Sequence, residues 1–264
     1  PAFTFHPEDV TAVGHRVVHG GDLYSHPTVV DKQVLEHLTS FIPLAPLHEP
    51  HNVAGIKALQ DLLPDVPQVA CFDTAFHRSQ PEVAQLFALP RALTAEGIKR
   101  YGFHGLSYEY IARSLPQFTH RADGRIIVAH LGNGASMAAM VNRKCVATTL
   151  GFSTIDGLVM GTRCGNLDPG VVLHLMETKG WSVKDMTRIL YKESGLLGIS
   201  GISQDMRTLL ASDKPEAREA VELFCYRIAR EIGSLAAAAG GVDAIVFTGG
   251  IGEHAAEVRR RVCQ

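Results

Sequence analysis

The sequence predicts an α/β fold, because strand-like and helix-like segments alternate along the chain and hydrophobic residues are abundant. Short runs rich in branched apolar residues predict strands at 12–19, 66–72, 126–131, 135–141 and 243–248. Longer segments with apolar residues at helical spacing predict helices at 29–40, 52–62, 168–179 and 215–239. Hydrophobic residues form 46% of the 264 residues, which suffices for one large core or two smaller ones.

The helix predicted at 215–239 carries one apolar stripe along its length. Its members recur every three or four residues, as on one face of a helix: Val221, Phe224, Cys225, Ile228, Ile232 and Leu235. A stripe of this kind is more simply part of a core than a partner interface. We therefore expect this face to be buried inside the protein.

Charge and cysteine content exclude several classes of function. The formal net charge is −2 and the isoelectric point is near 6.7, so we expect no nucleic-acid partner and no anionic lipid surface. The longest apolar run, 235–247, contains two glycines and an aspartate and is too short to span a membrane. The five cysteines show no disulfide-framework spacing, which suits a reducing cytoplasm, and no export signal is visible.

Two glycine clusters follow strand-like runs and suggest phosphate contacts. Gly132, Asn133 and Gly134 lie between two predicted strands, where missing side chains let backbone N–H groups approach an anion. A Gly-Asn-Gly sequence is equally a hairpin turn, and the full dinucleotide-binding motif is absent. The second cluster, at 249–252, predicts another strand-to-glycine turn with a second phosphate or nucleoside contact.

Charged and imidazole side chains lie beside glycine or proline in several further motifs. Arg163 is flanked by small residues, which would leave its guanidinium free for phosphoryl or carboxylate oxygens. His15 with His19, and His48 with His51, have spacings that a metal could use. The first pair lies in a strand-like run, the second is interrupted by a proline, and no cysteine has zinc-finger spacing, so a structural zinc site is not expected.

In order along the chain, the motifs HRVVHGG, LAPLH, FDTAFH, YGFHG, HLGNGAS, GLVMGTRCG and FTGGIGE resemble those of the acetate and propionate kinases. The resemblance covers nearly the whole chain. It implies the ribonuclease H-like two-lobe fold of the actin, Hsp70 and sugar kinase group, with mixed sheets and an incomplete first lobe. Residues 1–74 would be the remainder of the N-terminal lobe, and 75–264 most of the second lobe.

The resemblance also implies the reaction, which is direct in-line transfer of the ATP γ-phosphoryl group to acetate, giving acetyl phosphate and ADP. Arg16 and Arg163 would hold the carboxylate and the migrating phosphoryl group, and His104 would donate to that group. Asp73 would orient Mg²⁺. His48 would lie near His104 and support its contact with the phosphoryl group. Without the family pattern, the arginines read as surface ion-pair residues, His104 as a structural histidine and Asp73 as a helix cap.

By the same resemblance, Val18, Leu47 and Phe103 would form the wall around the alkyl group of the acid. Val18 narrows this pocket and favours acetate, with propionate as the alternative substrate. A proline is usual nine residues before the GTRCG arginine, where this chain has Thr154, which leaves the identity of the acid open. Glu49 is a second departure, because the family usually has asparagine in this LHNPHN motif.

The nucleotide, ATP or ADP, would be bound by residues of three motifs. The implied contacts are His130, Gly132, Asn133, Gly134, Asp205, Arg207, Gly250, Gly252 and Glu253. The family also implies a homodimer. Its members extend beyond both ends of this sequence, so we expect a fragment that lacks one phosphate turn and one magnesium-linked glutamate. A non-catalytic nucleotide-binding protein of the same fold is the alternative from another functional class.

Overall fold

The computed structural model describes residues 7–264, and within this range it contains two sheets. The first has the order β1-β3-β2, with β1 and β3 parallel and β2 antiparallel to β3: β1 Val13–Val17, β2 Thr28–Val29 and β3 Gln68–Phe72. The second has the order β6-β5-β4-β7, with only β4 and β7 parallel: β4 Arg125–Leu131, β5 Ala135–Val141, β6 Lys144–Thr148 and β7 Ala244–Thr248.

Helices connect and cover these strands. They are α1 Lys32–Ser40, α2 Glu49–Leu62, α3 Glu82–Gln85, α4 Arg91–Ala95, α5 Gly105–Ser114, α6 Pro169–Lys179, α7 Val183–Lys192, α8 Gly195–Ser200, α9 Met206–Leu210, α10 Pro215–Ala239, α11 Gly249–His254 and α12 Ala256–Val262. Short 3₁₀ helices lie at Pro7–Asp9, Ile42–Leu44, Ala75–Ser79 and Leu115–Gln117. No helix of residues 7–264 combines the length and the apolar character needed to cross a membrane.

The first sheet buries one face against α1 and α2. Helix α1 begins where the Asp31 side chain accepts a hydrogen bond from the Val34 amide at 2.8 Å, which satisfies one otherwise unpaired donor of the first turn. Leu38 of α1 and Ile56 of α2 are fully buried beside Phe72 of β3. This packing holds the ends of β1 and β3, and hence the residues that follow them, in one place.

Both faces of the second sheet are covered, which explains why β4 and β5 are apolar along nearly their whole length. Tyr108 of α5 is in the core cluster on one face, and α10 packs on the other. The predicted stripe of α10 is confirmed, with Ile232 only partly buried and its five other members buried.

The predicted strands and helices all occur, with ends displaced by at most a few residues, and 135–141 and 215–239 are reproduced without displacement.

The predicted glycine turn at 249–252 is wrong. Gly249 has a positive φ of 77°, and the chain passes directly from β7 into α11 there. A Cβ on Gly249 would lie 2.7 Å from the Leu131 carbonyl oxygen, so this junction requires glycine.

Candidate active site

The ends of β1 and β3 and the turn between β4 and β5 meet at a cleft of about 330 Å³. Loop residues before α2, before α5 and before α6 complete its walls. The lining consists of Arg16, Val18, His48, Asn52, Asp73, Phe103, His104, Gly134, Thr154 and Arg163. The cleft therefore contains Arg16, Asp73, His104 and Arg163, the four residues predicted to be catalytic, which are far apart in the sequence.

Arg16 and Asp73 lie at the ends of the neighbouring strands β1 and β3 and are bound to each other beside the cleft. The Arg16 Nε donates to both carboxylate oxygens at 3.1 Å, and Nη2 donates to Oδ2 at 2.6 Å. The Asp73 side chain is only 3% exposed, whereas that of Arg16 is 64% exposed. Burial raises the pKa of Asp73, and the hydrogen bonds from Arg16 oppose that rise. The pair compensates the buried carboxylate, whereas Nη1 of Arg16 makes no contact with Asp73.

Asp73 does not cap a helix with its side chain, so that alternative is wrong. The 3₁₀ helix that follows has Thr74 at its N-cap, with no side-chain cap hydrogen bond. Instead, the Asp73 carbonyl oxygen accepts from the Gly105 amide at 2.8 Å, and the backbone of His104 contributes a hydrogen bond to the carboxylate. Asp73 thus ties the end of β3 to the start of α5.

His104 has a left-handed backbone, with φ 59° and ψ 20°, at the N-cap of α5. Only a minority of non-glycine residues adopt this conformation, and such residues cluster at functional sites. The His104 ring stacks on the His130 ring at 4.4 Å, and its Nδ1 lies 2.7 Å from the Ser136 hydroxyl. Burial, with His130 and the two cleft arginines, lowers the pKa of His104 to about 3, so the ring is neutral.

Arg163 differs from Arg16 because it has no carboxylate partner among residues 7–264. Its Nη1 donates to the Thr154 carbonyl oxygen at 3.0 Å. Burial lowers the pKa of Arg163, although an arginine keeps its charge in any case. Gly134 leaves open the space beside it, because a Cβ there would lie 3.9 Å from Nη1 of Arg163 and 3.4 Å from Nε2 of His104. This unpaired cation facing a glycine is suited to an anion.

Three of the four residues predicted to bind the acid line the cleft. Val18 and Phe103 are buried there and His48 borders it. Leu47 is 42% exposed and lines an adjoining cavity of about 500 Å³ instead. His48, Phe103 and Thr154 border both spaces, so the cleft and this second, largely apolar cavity adjoin each other.

A third cavity, of about 660 Å³, lies on the other side of the turn at 132–134. It is lined by Gly132, Asn133, Gln204, Asp205, Met206, Arg207, Leu210, Gly250, Ile251, His254 and Ala255. Five of the nine predicted nucleotide contacts are in this lining, and Gly134 lines the first cleft instead. His130, Gly252 and Glu253 line neither space: His130 stacks behind His104, Gly252 is buried against the sheet, and Glu253 is exposed near Thr248.

The sequence profile of the acetokinase family matches residues 3–264. The chain belongs to the acetokinase family. It is 64% identical over 263 residues to the acetate kinase of Rhodopseudomonas palustris. The aligned region covers 99% of this chain and 66% of that protein. It is 58% identical over 261 residues to the acetate kinase of Methylocella silvestris, covering 98% and 65%. The chain spans about two thirds of the length of these curated relatives.

Solved structures give the same result. The acetate kinase of Porphyromonas gingivalis has a TM-score of 0.91 at 42% identity, over 97% of this chain and 66% of that one. A propionate kinase from Francisella tularensis has a TM-score of 0.92 at 42% identity, over 97% and 68%. The predicted fold class is thereby confirmed as the α/β, ribonuclease H-like type of actin, Hsp70 and the sugar kinases, with mixed sheets.

The residues of this acetokinase chain are compatible with magnesium at one position. Magnesium takes one or two carboxylates and completes its coordination with water and phosphate oxygens. Residues 7–264 contain no cluster of three or more His, Cys, Asp or Glu side chains that could hold a metal. Asp73 supplies a single buried carboxylate at the cleft, which fits a metal held largely by phosphate and water, provided that Arg16 releases it.

The sequence analysis assigned no role in the cleft to Asn52 or Tyr108, although Asn52 ends the LHEPHN stretch. Asn52 accepts from the Val18 amide at 3.0 Å and donates to the Arg16 carbonyl at 3.2 Å, so it fixes the end of β1 beside the cleft. Ser136 and Tyr108 contact His104 directly or through one another. The serine of the HLGNGAS motif was the only available signal for this network, because the tyrosine lies within an ordinary helical segment.

Proposed function

We propose that the protein is an acetate kinase, a phosphotransferase that moves the ATP γ-phosphoryl group to acetate and releases ADP. One observation carries this proposal: the turn at 132–134 separates the two cavities and borders both. Gly132 and Asn133 face the larger cavity and Gly134 faces the catalytic cleft. A nucleotide whose base lies near Asp205 and Arg207 would have its phosphates cross this turn towards the charged residues of the cleft.

In this proposal, Arg163 binds the migrating phosphoryl group and Arg16 binds the carboxylate of the acid. Arg163 is already unpaired, so it needs no rearrangement to accept an anion. Phosphoryl transfer requires mainly positioning and charge neutralisation, and these residues supply both without a nucleophilic side chain. The neutral ring of His104 adds a hydrogen bond to the equatorial phosphoryl oxygens, over which negative charge is spread in the transition state, while the electron pair of the breaking bond stays on the leaving ADP oxygen.

Mg²⁺ would reduce the charge of the phosphates and align them, and Asp73 is the residue proposed to hold it. Arg16 would leave Asp73 and turn towards the acid, so the ion pair becomes two separate contacts. This exchange keeps the buried Asp73 carboxylate compensated, which matters because an uncompensated charge there would be costly.

The test is acyl phosphate formation from ATP, magnesium and acetate, with the product trapped by hydroxylamine. Acetyl hydroxamate that falls on the order of a hundredfold in Arg163→Ala would support the proposal. Lack of any acyl phosphate, with ADP binding retained in calorimetry, would overturn it for this chain. That result would favour the non-catalytic nucleotide-binding alternative.

Propionate is the second candidate substrate, and the cavity beyond Phe103 favours it. That space, of about 500 Å³, adjoins the cleft and is bordered by Leu47 and Phe152. An added methylene there gains about 0.8 kcal/mol by leaving water, so propionate would be used in preference to acetate unless Val18 holds the alkyl group away. Comparing kcat/KM for acetate and propionate decides between the two acids.

We also propose a homodimer formed through α6. No residue of this helix is buried, although it carries five apolar side chains, and Leu173 is 67% exposed. Exposed apolar surface of this kind marks protein interfaces. Light scattering should show a dimer that Leu173→Glu dissociates, while Leu62→Glu, an equally exposed site on α2, leaves it intact. A monomeric chain, or a dimer unaffected by Leu173→Glu, would contradict this interface.

Two further assignments are proposals. Residues 1–74 are assigned to the first lobe and 75–264 to the second, because one hydrophobic cluster draws on Val17 to Phe72 and Ala75 and surrounds the first sheet. A cytoplasmic location is supported by the five cysteines, all of which are free thiols. Limited proteolysis near residue 74 would test the lobe boundary, and cell fractionation would test the location.

A further inference from the structure

The neutral ring of His104 has two possible proton positions, and only one of them lets it donate to a phosphoryl group. A neutral imidazole carries its proton on either Nδ1 or Nε2, and the hydrogen bond at the other nitrogen selects between them. Nδ1 of His104 faces the Ser136 hydroxyl at 2.7 Å. Nε2 lies on the opposite side of the ring, 3.4 Å from the position that a Gly134 Cβ would occupy, and so faces the cleft.

Three side chains form a line behind the cleft. His104 and Tyr108 are one helical turn apart on α5, and Ser136 is opposite His130 in the β4 and β5 pair. The Ser136 hydroxyl hydrogen-bonds the Tyr108 hydroxyl as well as His104. Tyr108 and Ser136 are both fully buried, so water does not compete for these groups.

The numbers of available donors and acceptors determine which group donates in each of these hydrogen bonds. Within residues 7–264 the Tyr108 hydroxyl has no partner other than Ser136, and the Ser136 hydroxyl has one proton to give. If Ser136 donated to Tyr108, the Tyr108 proton would have no acceptor in a buried site. That arrangement carries the desolvation penalty of an unsatisfied polar group.

The opposite arrangement satisfies every donor. Tyr108 donates to Ser136, Ser136 donates to Nδ1 of His104, and Nδ1 therefore carries no proton. The proton of the neutral ring is then on Nε2, directed at the space between Gly134 and Arg163. If Nδ1 carried a proton, in a neutral or a cationic ring, it would donate to Ser136, and the proton of either Ser136 or Tyr108 would then have no acceptor.

We propose that Ser136 and Tyr108 are positioning residues that hold His104 as the Nε2–H tautomer, so that it donates to the transferring phosphoryl group. Its role in phosphoryl transfer rests on the proposed function, but the tautomer does not. Because the Tyr108 hydroxyl donates to Ser136, the Ser136 hydroxyl donates to Nδ1 of His104, and the ring proton is therefore on Nε2.

Two-bond ¹H–¹⁵N correlation spectra of the ¹⁵N-labelled chain at neutral pH test the tautomer without any need for activity. His104→Gln identifies the signals of His104 among the 13 histidines. We expect the Nε2–H pattern in the unmodified chain, and a shift towards mixed tautomers in Ser136→Ala and Tyr108→Phe. Tyr110→Phe is the matched control, because Tyr110 is 68% exposed on the same helix and should leave the pattern unchanged.

In the hydroxamate assay, Ser136→Ala should lower kcat about tenfold with little change in the KM for acetate, because ground-state binding does not depend on this proton. Tyr108→Phe should lower kcat by a smaller factor, and it decides the question if Ser136→Ala does not fold. An Nδ1–H or cationic pattern in the unmodified chain would overturn the proposal. So would an unchanged Nε2–H pattern in Tyr108→Phe and, where it folds, Ser136→Ala. A chain that forms no acyl phosphate but shows the expected spectra would overturn only the proposed activity.

Discussion

Replacing Glu49 by glutamine is expected to stabilise the protein at alkaline pH far more than at mildly acidic pH. Glu49 is fully buried at the first position of α2, and neither carboxylate oxygen has a hydrogen-bond partner. Burial raises the pKa of Glu49 from 4.5 to about 8. The carboxyl group is therefore protonated in the folded protein at neutral pH.

The direction follows from which state binds the proton. Between pH 4.5 and about 8 the unfolded chain has lost the Glu49 proton while the folded chain keeps it, so stability falls as the pH rises. Below pH 4.5 both states are protonated and the penalty vanishes, and above about 8 it is complete. The interaction of the anion with the N-terminus of α2 recovers only about 0.3–1 kcal/mol and does not reverse the effect.

The size of the change in the free energy of unfolding depends on how many pH units between the unfolded and the folded pKa the experiment covers. From pH 5.5 to the folded pKa is about 2.5 pH units, at about 1.36 kcal/mol each, or about 3 kcal/mol. The free energy of unfolding of Glu49→Gln, minus that of the unmodified chain, should grow by this amount between pH 5.5 and 8.5. Any cost of burying the glutamine amide is the same at both values and cancels in the comparison.

Urea denaturation followed by circular dichroism at the two pH values measures this difference. Glu36→Gln is the matched control, since Glu36 is exposed on α1 and its replacement should not make the stability difference depend on pH. The reasoning is refuted if the advantage of Glu49→Gln is the same at pH 5.5 and 8.5 within about 1 kcal/mol, the precision of the extrapolation.

Three further substitutions test the cleft with the hydroxamate assay. Gly134→Ala places a methyl group between His104 and Arg163 and should reduce activity on the order of a hundredfold with an unchanged urea midpoint; activity within about twofold would contradict the phosphoryl position. Arg163→Lys keeps the charge but loses the two-pronged donor, so a loss on the order of tenfold is expected, and full activity would show that charge alone suffices. Val18→Ala should raise kcat/KM for propionate relative to acetate by about fivefold or more, and an unchanged ratio would place the alkyl group elsewhere.

The longest helix was predictable from its spacing, and the shortest helices were not. The α10 helix shows its apolar stripe over 25 residues, so its limits could be read from the spacing alone. Helices α3, α4 and α9 have four or five residues, which is too few for a helical period to appear. Helix α5 was missed because its start depends on a left-handed histidine, whose conformation is imposed by contacts with Asp73 and not by local propensity.

The candidate site was also predictable only in part. The residues at the cleft could be named in advance because each lies in a short motif. Their mutual contacts could not be named: Arg16 and Asp73 were assigned separate tasks, yet they form one ion pair at the ends of two neighbouring strands. Leu47 was assigned to the acid pocket but faces the adjoining cavity, because its direction depends on the irregular chain before α2.

By itself, the sequence determined the α/β class, the family and the residue types present at the cleft, because these depend on apolar periodicity and on motifs carried by short stretches of chain. Only the tertiary structure decided which of those residues are paired, which are free and which polar groups are buried. Contacts between segments far apart in the chain create the burial of Glu49, the ion pair of Arg16 with Asp73 and the hydrogen-bonded hydroxyl groups behind His104. Their charge states follow from burial and from long-range hydrogen bonds, and no local pattern contains that information.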